Sequence, residues 1–144
     1  MKTSSLLLTI TFLFTSTLAL PFPAITSYPT KTSWRVSNYT EGCSPGGCVY
    51  SFDIASPSTP SSLKEPSFHT ICTGTNVAGS MQPCSNPAIT ANSLPLPGAF
   101  TLVIQHEWTT EEGVTYFLGG NRTVEIGGYP KGFLVEQTEV SAIA

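Results

Sequence analysis

Four cysteines, two histidines and a single aspartate are the side chains of this 144-residue chain best suited to redox, metal or acid–base chemistry. The cysteines stand at Cys43, Cys48, Cys72 and Cys84. Their spacings, Cys-x4-Cys and Cys-x11-Cys, match no usual zinc pattern, and the redox motif Cys-x-x-Cys is absent. An even cysteine count in an exported chain instead predicts two disulfides and no free thiol. Four cysteines allow three pairings, and spacing alone does not choose among them. The two local ones, Cys43–Cys48 and Cys72–Cys84, are expected because Ser44-Pro45-Gly46-Gly47 is small and turn-forming. On the loop-entropy model the shorter loop stabilises by roughly 2 kcal/mol and the longer by about 3.

The histidines offer less. His106 and Glu107 are adjacent, so on a strand they face opposite ways and cannot act together. His69 faces away from Phe68 and Cys72. A hydrolase could pair either histidine with Asp53 or a serine, but no G-x-S-x-G element accompanies them. No phosphate-binding glycine loop is present either. The reading is therefore of no catalytic, cofactor or metal residues, with both histidines structural or on the surface. Two sequons add a modification chemistry, Asn38-Tyr39-Thr40 and Asn121-Arg122-Thr123. Asn121 is expected in a turn after two glycines. Asn38 shares its parity with Trp34 and Val36, so it is usable only if the strand has left the core by then.

These residues must be carried by strands. Cys48, Tyr50, Phe52 and Ile54 alternate with Val49, Ser51 and Asp53, and Phe68, Thr70 and Cys72 repeat the pattern. Ala99–Trp108 is the longest clean alternation, with Phe100, Leu102, Ile104, His106 and Trp108 on one face. A first strand is expected at 34–39, turned by Glu41-Gly42, and further strands at 114–118 and 123–126 around a Gly119–Arg122 turn. A short strand at 132–136 closes the series. Residues 74–92 read as a long crossing loop, and Pro95 and Pro97 delay regular structure until Gly98. No segment keeps a 3.6-residue period over three turns. Twelve glycines and twelve prolines punctuate short strands, which predicts an all-β fold, a compact antiparallel β-barrel or sandwich with two disulfides.

The flanks set the compartment. Lys2, the apolar run Leu6–Phe14 and the small residues before Leu20 describe a secretory signal peptide at 1–19, cleaved after Ala19. The run is too short and too interrupted for the ~20 apolar residues of a membrane span. Residues 20–33, with three prolines, read as a flexible leader; 34–137 as one disulfide-stabilised domain; 138–144 as a tail. After cleavage five basic residues oppose nine acidic ones, a net charge of −4 without a basic patch. That argues against nucleic acid and against anionic membranes. The mature protein is expected outside the cell, as a monomer or non-covalent dimer.

Taken in order, Trp34-Arg35-Val36-Ser37-Asn38-Tyr39, Tyr50-Ser51-Phe52-Asp53-Ile54, Phe68-His69-Thr70-Ile71-Cys72, Cys84 and the Phe100–Trp108 strand resemble the Alternaria major-allergen-like family of small secreted fungal proteins. The resemblance spans about 34–126. It implies a compact β-barrel or sandwich, no known catalytic residues and a role in host interaction, since the family includes elicitors of plant hypersensitive responses. Some members carry an additional N-terminal cysteine that links a dimer, which this chain lacks. The expected function is thus a secreted, non-enzymatic effector or allergen-like protein binding a host protein or a small apolar ligand. The alternatives are a secreted hydrolase or a protease inhibitor presenting the Cys43–Cys48 loop.

Overall fold

The computed structural model describes residues 32–56, 63–77, 79–127 and 132–144. The expected signal peptide and the leader up to Lys31 lie outside these residues. Eight strands follow one another: β1 (Ser33–Ser44), β2 (Gly47–Ala55), β3 (His69–Thr75), β4 (Gln82–Pro83), β5 (Ile89–Leu96), β6 (Ala99–Thr109), β7 (Thr115–Glu125) and β8 (Gly132–Ile143). They form one antiparallel sheet in the order β3-β2-β1-β8-β7-β6-β5-β4, rolled into a nearly closed barrel, with no helix among the described residues.

Alternation is what rolls the sheet. Trp34 and Val36 of β1, Tyr50, Phe52 and Ile54 of β2, and Phe100, Leu102 and Ile104 of β6 are all essentially inaccessible, while their odd-parity neighbours face outward. Side chains fill the interior, so the barrel is a packed core rather than a channel. The seam lies between β3 and the β4–β5 region. The Cys72–Cys84 disulfide crosses it, with Ser85 N–H donating to the Ile71 carbonyl (2.9 Å) and Asn86 N–H to Thr70 Oγ1 (2.9 Å). The Cys43–Cys48 bridge clasps the β1–β2 hairpin across directly paired residues. Both local pairings are therefore the ones formed, and no cysteine is left free.

Several expected boundaries move. Glu41-Gly42 does not turn; β1 continues to Ser44, and the turn is Pro45-Gly46. A bulge between Ser37 and Thr40, with Asn38 at φ 54°, reverses the parity of β1, so Asn38 faces solvent and Tyr39 enters the core. Asparagine tolerates that left-handed conformation better than most residues. The crossing loop and proline-delayed stretch contain β4 and β5. Pro97-Gly98, with Gly98 at φ 71°, is a tight turn between β5 and β6. Pro95 sits within β5 where β4, which pairs only with Thr90 and Ala91, leaves that edge uncovered.

The Gly119–Arg122 turn is also replaced. β7 runs unbroken through Gly119-Gly120, because β8 bulges there: Gly119 pairs with Glu139 and Gly120 with Gln137, leaving Thr138 unmatched. A Cβ on Gly120 would lie 2.3 Å from the Glu136 carbonyl oxygen, so the close approach of two backbones requires the glycine. β8 itself reaches Ile143, drawing most of the expected 138–144 tail into the sheet.

Candidate functional site

The barrel interior divides into two clusters fed by the same strands. In the first, Tyr39 of β1 stacks on Phe100 of β6, ring centroids 4.4 Å apart, and both face Phe133 of β8, with Phe52 beside Tyr39. In the second, β1 presents Trp34, β6 presents His106 and β8 presents Gln137, all buried. A carboxylate enters this polar cluster from outside the sheet. Glu65, in the connector between β2 and β3, is turned inward after Lys64, which holds φ 53°.

Glu65 is held at both oxygens. Oε1 accepts from Trp34 Nε1 (2.9 Å) and lies 2.7 Å from His106 Nδ1; Oε2 accepts from Gln137 Nε2 (3.0 Å). Thr32 Oγ1 in turn donates to Gln137 Oε1. A carboxylate only accepts, so Nδ1 is the hydrogen-bearing nitrogen of this histidine. The side chains of Glu65 and His106 are each 2% exposed. Phe68 meets the imidazole edge-on at 4.7 Å, and Trp108 packs on it at 4.9 Å before stacking on Tyr116.

Geometrically this is an acid–base pair, a carboxylate orienting an imidazole. To act on a substrate it would also need a nucleophile and a route to one. Among the described residues Glu65 is the one hydrogen-bond partner of the His106 imidazole, and the two aromatic rings pack against it. What the arrangement does in the molecule is anchor the connector onto the barrel: one loop carboxylate ties β1, β6 and β8 together. Breaking such a buried pair by removing one partner typically costs about 3–5 kcal/mol.

The other sequence candidates are dispersed. His69 is exposed on β3, and Glu107 is exposed on the outer face of β6. Asp53 faces outward on β2 and accepts a hydrogen bond from the Asn38 amide. Glu41 lies beside the Cys43–Cys48 bridge, where partial burial pushes its carboxyl above the ordinary range. The two sulfurs are bonded to each other there and offer no thiolate to a metal. Asn121 is exposed on the outer face of β7, within a strand rather than in the expected turn. Glu65 was invisible to sequence reasoning. It lies in a polar, proline-containing connector, and nothing local distinguishes it from the solvated glutamates. The one available signal was the orphan His106, a polar residue in an otherwise apolar strand face that needed a partner.

Two depressions of similar size open on the surface among the described residues: one lies beside Lys64, Pro66 and Trp108, next to the Glu65–His106 pair, and the other lies on the outer face of the sheet. The second is a groove of about 440 Å³ over β6, β7 and β8, floored by Gly119 and walled by Val103, Gln105 and Glu139, with Phe117 and Asn121 along its length. No helix among the described residues is long and apolar enough to cross a membrane. The two disulfides belong to an oxidising environment. No protein-family model, curated protein or solved structure matches the chain.

Proposed function

We propose that this protein is a secreted, non-enzymatic effector that acts by presenting its folded surface to a host partner, as its resemblance to the Alternaria major-allergen-like proteins implies. The observation that carries the reading is the use made of the one histidine–carboxylate contact found among the described residues. Glu65 and His106 are enclosed, and the carboxylate is engaged by Trp34 and Gln137 as well, which suits a strut far better than a reaction centre. The signal-like N-terminus and the two disulfides support export. Asn38 and Asn121, both exposed, are the proposed glycan acceptors.

The surface itself supports recognition. Val49, Ile71 and Val77 are at least 49% exposed on or beside β2 and β3, the strands that the two disulfides brace. The inhibitor alternative has less support, because Cys43–Cys48 closes a tight hairpin rather than an extended loop that could enter a protease cleft.

The test compares three samples of the mature protein infiltrated into plant leaves: intact, Glu65→Gln, and reduced and alkylated. Glutamine keeps the shape of Glu65 but cannot serve as a carboxylate base. The defence response should survive Glu65→Gln when circular dichroism is unchanged, and should be lost on reduction. A response abolished by Glu65→Gln in a folded sample would move the reading to an enzyme. No response to the intact protein would remove the host role.

A further inference from the structure

The outer groove and the second sequon belong to the same strand. Asn121 and Phe117 both point outward from β7, with Gly119 between them. Across β6 their partners are Val103, Gln105 and Glu107; across β8, Glu139 pairs with Gly119 and Ser141 with Phe117. The depression exists because Gly119 has no side chain: a Cβ there would already contact Glu139 Cβ at 3.4 Å, and anything larger would fill the floor. Its backbone φ is not left-handed, so conformation does not require glycine at this position.

The lining has a definite chemistry. Phe117 is a partly buried aromatic ring facing outward, a platform for the C–H face of a pyranose. Gln105 can donate and accept, Glu139 accepts, and Ser141 does either, which matches the hydroxyls and acetamido group of an amino sugar. The groove's volume of about 440 Å³ falls within the range of small-ligand sites. From Asn121 to Phe117 is four residues of strand, about 13 Å, enough for linked sugar rings to lie along it. Asn121 is itself the residue to which such a sugar would be joined.

We propose that this groove seats the N-acetylglucosamine core of the protein's own Asn121 glycan, the first sugar over Gly119 and the next against Phe117. The inference rests on the export reading above, since attachment occurs only in the secretory route. A glycan so placed covers an outward aromatic ring and clamps β7 to β6 and β8 where the β8 bulge interrupts their ladder. Sugar attachment at Asn38 lacks such a seat, because that side chain is hydrogen-bonded to Asp53 at a bulge.

The experiment expresses the full chain with its own N-terminus in a filamentous fungus, recovers it from the medium and maps its glycopeptides. Amide exchange of β7 and β8 is then followed before and after enzymatic release of the sugar, in the wild type, Phe117→Ala and Gly119→Val. The expected result is an occupied Asn121 and a loss of protection in 115–125 and 137–143 on release. That loss should be smaller in Phe117→Ala and absent in Gly119→Val, whose valine fills the floor but suits a strand. An exported chain with Asn121 unoccupied, or occupied without any change on release, overturns the groove assignment while leaving export standing. Retention of the chain inside the cell overturns both. Binding of free N,N′-diacetylchitobiose by an exported chain with Asn121 unoccupied would replace the internal sugar by an external one, and would equally overturn the assignment.

Discussion

The two interior clusters are built by the same three strands to opposite specifications. β1 gives Tyr39 to one and Trp34 to the other; β6 gives Phe100 and His106; β8 gives Phe133 and Gln137. The aromatic cluster is completed by strands alone, and its stability comes from apolar area and ring contact. The polar cluster cannot be completed by strands. Its indole N–H, imidazole and amide would be buried without a shared acceptor, and only the Glu65 carboxylate, supplied by a connector, satisfies them together. One cluster thus stabilises the barrel, whereas the other makes the barrel and its β2–β3 connector a single unit.

The sharpest way to break this contrast is truncation on each side. Phe100→Ala should destabilise by about 3–5 kcal/mol, because it removes a fully buried ring stacked on Tyr39. Urea unfolding should show the loss without faster cleavage of the connector. Glu65→Ala should cost about 3 kcal/mol, from donors left unpaired in a low-dielectric site. Limited trypsin digestion of that variant should cut more readily after Lys64, because the connector is released. If the two variants proved alike in both measurements, the distinction between a packing cluster and an anchoring cluster would fail.

The disulfides extend the comparison to the surface. Replacing Cys72 and Cys84 together by serine should cost about 3 kcal/mol, against about 2 for Cys43 and Cys48. Cys72–Cys84 spans the barrel seam, so its loss should accelerate amide exchange in β3 and β5. Cys43–Cys48 only clasps a hairpin tip, and its removal should be felt within β1 and β2. Exchange measured by mass spectrometry on the two double variants separates these outcomes.

How much of this was legible beforehand follows the physics of each element. The strict period-two alternation of β2, β3 and β6 announced both the strands and their inward faces, and the turn-forming Ser-Pro-Gly-Gly announced the hairpin disulfide. Proline and glycine misled where their role depends on neighbours. Pro95 is tolerated because β4 leaves the edge beside it uncovered, and Gly119-Gly120 is mid-strand because a bulge in β8 presses on it. Neither fact is local. The same holds for the candidate site: His106 could be placed on an inward face from its own strand, but Glu65 is 41 residues away and meets it only in the folded barrel. A histidine among apolar neighbours states a need for a partner without naming it.

The smallest expected effect concerns Glu41, which belongs to neither cluster. Burial beside the β1–β2 hairpin raises its carboxyl above the ordinary range, so the folded protein holds this proton more tightly than the unfolded chain does. The sign follows by linkage. Its contribution to stability is present in full below the carboxyl's usual value, roughly pH 4, and is lost as pH rises through the higher folded value. Glu41→Gln should therefore flatten the stability profile in that interval and leave the protein slightly more stable at neutral pH. Much of the side chain remains in water, so screening holds the change to a few tenths of a kcal/mol. Denaturant midpoints measured at closely spaced pH values from 3.5 to 7 would resolve it. Glu41 lies beside the Cys43–Cys48 hairpin, whereas Phe100 and Glu65 belong to the interior clusters, so its effect should add to either truncation within about 0.5 kcal/mol. A larger coupling to Glu65→Ala alone would mean that the polar cluster reaches the hairpin and that the two interior regions are less separate than their contacts indicate.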